Sequence, residues 1–319
     1  MRKYVARRVL LFIPTLIGVS LAIFLLMRVL PGDVAEVLLS GPKGEGTFSD
    51  ADLIRVRKQL GLDRPIYMQY GEWAWDMVRG NLGNSFTTSR PVAGELKRQL
   101  PVTLQLALFT FIVVLSLAIP IGILAAIKHD SWLDFILRGW AIMGLAMPTF
   151  FVGLLVILVL SVYFKWMPPV GFTHLWQNPT ISLQQILPAS IGLGFHSNGL
   201  MLRMMRTQLL EVMGEDYIRT ARAKGLAEQV VIWRHSVRNA LLPVVTLAGF
   251  QIGALLSGAV VIETVFSIPG VGRGLVNALN SRDLPVIQVY IMYFAILALM
   301  ANLIVDMAYA WLDPRIRYD

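Results

Sequence analysis

The densest set of chemically active side chains lies between Glu211 and Pro243, in the stretch EVMGEDYIRTARAKGLAEQVVIWRHSVRNALLP. Five basic residues (Arg219, Arg222, Lys224, Arg234 and Arg238) stand there against four acids, interrupting an otherwise apolar C-terminal half. A basic loop this structured calls for a partner, and its residue pattern supports structure. Tyr217 to Lys224 consists of good helix formers, and Gly225 is placed to end a helix. Val230, Trp233, Val237 and Leu241 then fall on one stripe of a second helix whose polar side carries Arg234, His235 and Arg238.

Residues for bond chemistry are missing. The four histidines (129, 174, 196 and 235) are scattered, which argues against a metal cage, and with no cysteine there is no disulfide, thiolate ligand or cysteine nucleophile. No phosphate-cradling G-x-x-x-x-G-K-[ST] occurs, so the chain is not expected to hydrolyse ATP itself. H-E-x-x-H and G-x-S-x-G are absent too, leaving protease and hydrolase readings without support, and no catalytic residue is assigned. Within the apolar stretches the ionisable residues are Arg28, His196, Glu263 and Asp306, mostly near the ends. His196, Ser197 and Asn198 are the best internal candidates for lining a polar path, with bonding to a neighbouring helix as the plainer reading. The cluster Met201, Met204, Met205 reads as packing.

The elements that must position these residues are membrane spans. The chain has 319 residues, of which 56% are hydrophobic and 15% charged, too apolar for one soluble domain of this size. The net charge of +8 does not point to nucleic acid, because the basic residues collect at the ends of apolar segments. A span needs ~20 apolar residues. Residues 9–30 form the first, after a basic start (Arg2, Lys3, Arg7, Arg8) and without a convincing signal-peptide cleavage site. Arg28, near its outer end, is placed to snorkel. Residues 31–98 are polar, with nine basic and nine acidic residues; Ser49 to Asp52 reads as a helix start, and residues 67–78 as an amphipathic helix whose Tyr70, Trp73 and Trp75 suit a membrane surface or a bound protein. Further spans are expected at about 101–127, with Pro101 in its first turn, 135–164, kinked at Pro148, 186–208, 242–266 and 286–311. Fifteen basic residues then lie inside and three on the short outer loops, which puts both termini in the cytoplasm.

Several strings resemble one family. YIRTARAKGL at 217–226, with Ala221 and Gly225 on an E-A-A-x-x-x-G frame, looks like the EAA loop of bacterial ABC-importer permeases. Arg219 and Thr220 stand where Glu and Ala are usual, and the distance from Gly225 to Pro243 is longer than in sugar permeases; both departures look like the peptide/nickel branch. RVLPGD at 28–33, LGLDRP at 60–65, GNLGNSF at 80–86 with RPV at 90–92, and GAVVIETVFSIPGVG at 258–272 extend the resemblance over nearly the whole chain.

The resemblance implies an all-α integral membrane protein with six spans and the type I importer permease fold. Residues 31–94 would be extracytoplasmic, 95–306 the common transmembrane domain with its coupling loop at 211–241, and 307–319 the end of the last helix and a cytoplasmic tail. Tyr217, Arg219, Thr220, Ala221, Ala223, Lys224, Gly225 and Leu226 would dock on an ATPase subunit. Glu263, Arg273 and Arg282 would touch an extracytoplasmic solute-binding protein, or pair with one another at the outer interface. The expected partners are a second, related permease, two ATP-binding subunits carrying ATP and Mg, the binding protein and the lipid bilayer; no cofactor or metal is assigned to this chain. The expected location is the bacterial inner membrane and the best substrate class is peptide, with nickel, glutathione and oligosaccharide as alternatives. The competing reading is a stand-alone ion-coupled carrier or channel. Its weakness is the absence of a mid-span carboxylate, which favours an energy source outside the membrane.

Overall fold

The computed structural model describes residues 2–29, 34–40, 46–59, 61–169 and 171–312, and among these it is helical with no strand. Thirteen helices follow in order: α1 Arg2–Val29, α2 Val34–Ser40, α3 Asp50–Gln59, α4 Ile66–Val78, α5 Val92–Ile127, α6 Trp132–Ala146, α7 Thr149–Phe164, α8 Pro179–Met213, α9 Asp216–Ala223, α10 Glu228–Val230 running through a π-helical turn Val231–Val237 into α11 Arg238–Val265, then α12 Val271–Asn280 and α13 Leu284–Leu312. The tail 313–319, part of RVLPGD, Leu60 and the Asp306 side chain lie outside the described residues. By length and composition four described helices can cross a membrane, or five if the bent pair α6 and α7 counts as one span. α8 has the length, but Ser182, Gln185, Ser190, Ser197 and Asn198 dilute its apolar character.

The helices form two compact units, one comprising the chain up to Thr103 with Pro269–Leu303, the other Leu104–Ile268 with the remainder of α13. In the first unit, α4 packs on α1. Phe24 meets Tyr70 edge-on at 5.5 Å and Trp73 at 5.7 Å, Ser20 and Tyr70 share a hydrogen bond of 2.8 Å, and Arg28 donates to Gln69 at 2.5 Å while lying 5.0 Å over the Phe24 ring. Tyr70 and Trp73 are therefore joined to α1, and Trp75 is the exposed ring of the three. Ser49 and Asp52 cap α3 reciprocally, Ser49 Oγ accepting from the Asp52 N–H at 3.2 Å and the Asp52 carboxylate accepting from the Ser49 N–H and hydroxyl. Those bonds hold the exposed Asp52 carboxyl below its usual range.

Also in this unit, Asp283 is buried just before α13 and accepts from the Ser85 hydroxyl at 2.5 Å and from the backbone N–H groups of Phe86 and Thr87 at 3.1 and 3.2 Å. This carboxylate roots the 84–91 loop, whose ends meet in an isolated antiparallel bridge between Asn84 and Pro91. Replacing Asp283 by alanine strands three donors, an expected loss of about 2–4 kcal/mol from charged hydrogen bonds. Faster hydrogen exchange at Phe86 and Thr87, with exchange in α8 unchanged, is the expected readout. Segment 267–285 holds α12, whose Val271 N–H is capped by the Thr103 hydroxyl at 2.9 Å.

The second unit is built around α8. Gly192 lets α7 approach, its would-be Cβ lying 3.1 Å from Gly153 Cα; Gly194 faces Val114 of α5 at 2.9 Å, and Gly199 lies against the Ala141 carbonyl of α6. Met201, Met205 and Leu209 are fully buried in the same core with Val114 and Val244, in agreement with packing for the methionines. Small residues allow this closeness where lipid supplies no hydrophobic drive between helices.

Two expectations about the spans need correction. The helix expected from Pro101 already begins at Val92, so Pro101 lies inside it. The segment 135–164 is a break rather than a kink: Met147 and Pro148 are both extended (ψ 131° and 139°), and α6 and α7 diverge by 114°. Proline disfavours helical geometry in the residue before it and has no N–H for the ladder; α5 continues through Pro101 all the same, whereas at Met147–Pro148 both residues turn extended and the helix stops.

Candidate functional site

The basic stretch at 211–243 lies within the second unit and folds as two short helices meeting at a glycine. α8 ends at Met213, where the Gly214 N–H bonds the Glu211 and Leu210 carbonyls, and α9 starts at Asp216. At the other end of α9 the Gly225 N–H bonds the Arg222 carbonyl at 2.9 Å and the Leu226 N–H bonds the Ala221 carbonyl at 3.4 Å. This is a Schellman end with Gly225 at φ +78°, a conformation that glycine adopts without penalty. Ile218, Ala221 and Val231 bury against Val212, giving the loop a small core of its own.

That core sorts the expected docking residues. Tyr217, Arg219, Thr220, Ala223, Lys224, Gly225 and Leu226 are exposed and share one continuous surface segment, whereas Ala221 is buried and belongs to the packing side. Arg219 bonds Asp216 at 3.0 Å, Arg222 grips Glu228 through two bonds of 2.8 and 3.2 Å, and Asn239 donates to the Tyr217 hydroxyl at 3.0 Å. The Arg222 guanidinium lowers the Glu228 carboxyl below its ordinary value, and Glu228 raises Arg222 in turn. Both are substantially exposed, so the pair sets the shape of the loop more than its stability.

The second stripe differs from expectation. Val231, Ile232, Ser236, Val237 and Ala240 are buried, while Trp233 is 60% exposed and Val230 is exposed as well. The π-helical turn is the reason: its wider winding rotates the following residues off the α-helical stripe, with the Ser236 hydroxyl donating to the Val231 carbonyl at 3.0 Å. Trp233, inside the turn, and Val230, just before it, lie on the surface beside the basic residues.

The other predicted residues are dispersed. His196 is exposed, whereas Ser197 and Asn198 are buried, as three consecutive helical residues must point in different directions. The Asn198 amide donates to the Val114 carbonyl of α5 at 3.5 Å. Glu263 is fully buried in α11. Arg273 is half-buried on α12 and Arg282 is exposed with φ +52°. Asp283 escaped prediction because its partners are some two hundred residues away in sequence, at Ser85 to Thr87, and no local pattern signals the contact.

The relatives of this chain are membrane components of transport systems. Residues 1–107 match the family described as binding-protein-dependent transport system membrane component, N-terminal, and residues 118–318 match the family described as binding-protein-dependent transport system inner membrane component. A putative peptide transport system permease protein of Brucella abortus (strain 2308) is 41% identical over 320 residues, covering 100% of both chains. The glutathione transport system permease protein GsiC of Escherichia coli (strain K12) is 41% identical over 319 residues, and that of strain CFT073 is 42% identical, again at 100% of both chains. Matched from end to end in this way, the chain belongs to the binding-protein-dependent transport system inner membrane component family and is an inner-membrane permease subunit of an ABC importer rather than an enzyme.

Proposed function

We propose that this permease carries peptides, glutathione-like tripeptides included, across the inner membrane through six spans with both termini in the cytoplasm. The observation that carries the substrate class is end-to-end similarity to proteins named for peptide and for glutathione, which share peptide bonds and free carboxylates. The exposed face at Tyr217, Arg219, Thr220 and Ala223–Leu226 docks on one of two ATP-binding subunits, where ATP and Mg are held. Ala221 holds that face from behind. A second, related permease completes the pathway, and residues 31–94 with Arg273 of α12 and Arg282 just after it receive the binding protein from outside. ATP closes the two ATPase subunits, the docking helices move with them, and the bundle changes the side to which it opens. A stand-alone carrier or channel needs no such docking face.

The test is co-purification of the tagged chain from its native membrane. Two ATPase subunits and a second permease are expected, lost when residues 217–226 are altered. A binding protein recovered with the assembly then serves to measure peptide affinity directly. A chain that purifies alone and moves solute in liposomes without ATP would sink the proposal.

A further inference from the structure

One buried charge cluster of the second unit has no part in the docking face. Asp134, in the first turn of α6, is fully buried, and Arg206 of α8 donates to both its oxygens at 2.7 Å, with the arginine itself only 16% exposed. Arg138 lies 3.5 Å from the same carboxylate, and the Asp130 N–H donates to it at 3.1 Å. Replacing a buried ion pair by well-packed apolar residues is often neutral or stabilising, so stability alone does not explain this pair; a planar fork on a carboxylate does fix relative position.

The position being fixed is the register of two antiparallel helices. Asp134 meets Arg206, Ala141 meets Gly199 through a backbone approach, and Gly144 faces the Phe195 carbonyl, where an added Cβ would lie at 2.8 Å. The contacts advance along α6 as they retreat along α8, and Trp140 stacks edge-on against Phe195 at 5.0 Å in the same seam. Sliding α6 by one turn would put backbone carbonyls where these glycines now make room. Arg206 lies about two turns before α8 ends at Met213, and only Gly214 and Glu215 separate that end from α9. At its far end α6 stops at the Met147–Pro148 break.

We propose that Asp134 and Arg206 are positioning residues that lock α6 to α8, so that movement of the docking helix α9 is delivered through the α6–α8 pair to the Pro148 break. The proposal rests on the importer reading above. Breaking the lock leaves ATP hydrolysis running on the partner subunits while the bundle follows it poorly.

The experiment compares the reconstituted full assembly carrying Asp134→Asn, Arg206→Lys or the apolar pair Asp134→Leu with Arg206→Met. Thermal stability, recovery of partner subunits, and peptide taken up per ATP hydrolysed are measured with loaded binding protein. Retained assembly and melting in the apolar pair, with uptake per ATP reduced about tenfold or more and a smaller loss in Arg206→Lys, is the expected result. Uptake per ATP within about twofold of the unaltered assembly in the apolar pair would reduce the ion pair to a stabilising contact. Failure of all three variants to accumulate would assign it to folding and overturn the proposal equally. If the unaltered assembly shows no ATP-driven uptake, the importer reading itself is what fails.

Discussion

Valine in place of Gly225 is expected to reduce ATP-driven uptake about tenfold or more while the permease still inserts in the membrane. Gly225 sits at φ +78°, and nothing lies within 4 Å of where its Cβ would be. The penalty is therefore backbone strain and not a clash, about 1–2 kcal/mol for an ordinary residue and more for a β-branched one. The chain can relieve it by leaving the left-handed region. That breaks the two hydrogen bonds ending α9 and reorients Lys224 and Leu226, which flank Gly225 at the C-terminal end of the exposed segment proposed to dock. A loss of 1.4 kcal/mol in docking is a factor of ten. Asparagine tolerates the left-handed region and accepts the same cap, so Gly225→Asn is expected to keep most of the uptake. Uptake by right-side-out vesicles with ATP inside and loaded binding protein outside, together with ATPase subunit recovered per permease, checks both variants. Normal coupled uptake by Gly225→Val would remove the docking role from this turn.

A marked effect on stability is also expected at Gly199. An added methyl group would overlap the carbonyl oxygen of Ala141, and that neighbour is backbone, which cannot swing aside as a side chain would. The α6–α8 seam must open, also loosening the Gly144 contact with Phe195 and the Asp134–Arg206 bonds. Overpacking of this kind costs about 1–3 kcal/mol, and the shared seam makes the effects non-additive. Gly199→Ala should thus lower both the melting temperature and the amount of detergent-stable permease. Gly139 is the matched control on α6: its Cβ position is open, so Gly139→Ala should be neutral or stabilising by about 0.5–1 kcal/mol. Size-exclusion profiles over a temperature series separate the two. Equal stability would mean that the seam is looser than the backbone distances require.

Much of the fold could be read before any coordinates. Apolar runs of span length, the basic interruption at 211–243 and the glycine that ends its first helix are local signals, set by hydrophobic period and by backbone conformation, and each appears close to its expected place. The family strings carried identity further than composition could. The reading failed where one backbone feature altered what the periodicity implied. At Met147–Pro148 a kink became a break of 114°, and at Val231–Val237 a π-helical turn moved Trp233 from the buried stripe to the surface.

What the sequence alone determined is which segments are apolar enough to enter a membrane, where the glycine-ended helix of the basic stretch lies and which family the chain resembles, because these depend on residues close together along the chain. Only the tertiary structure decided which charges are structural. Glu263 is buried in α11, Asp283 roots a distant loop, and Asp134 is buried in a two-bond ion pair with Arg206. Each depends on which helix faces which, and glycine contacts such as Gly199 on Ala141 settle that at close range, where no pattern along a single helix can report it.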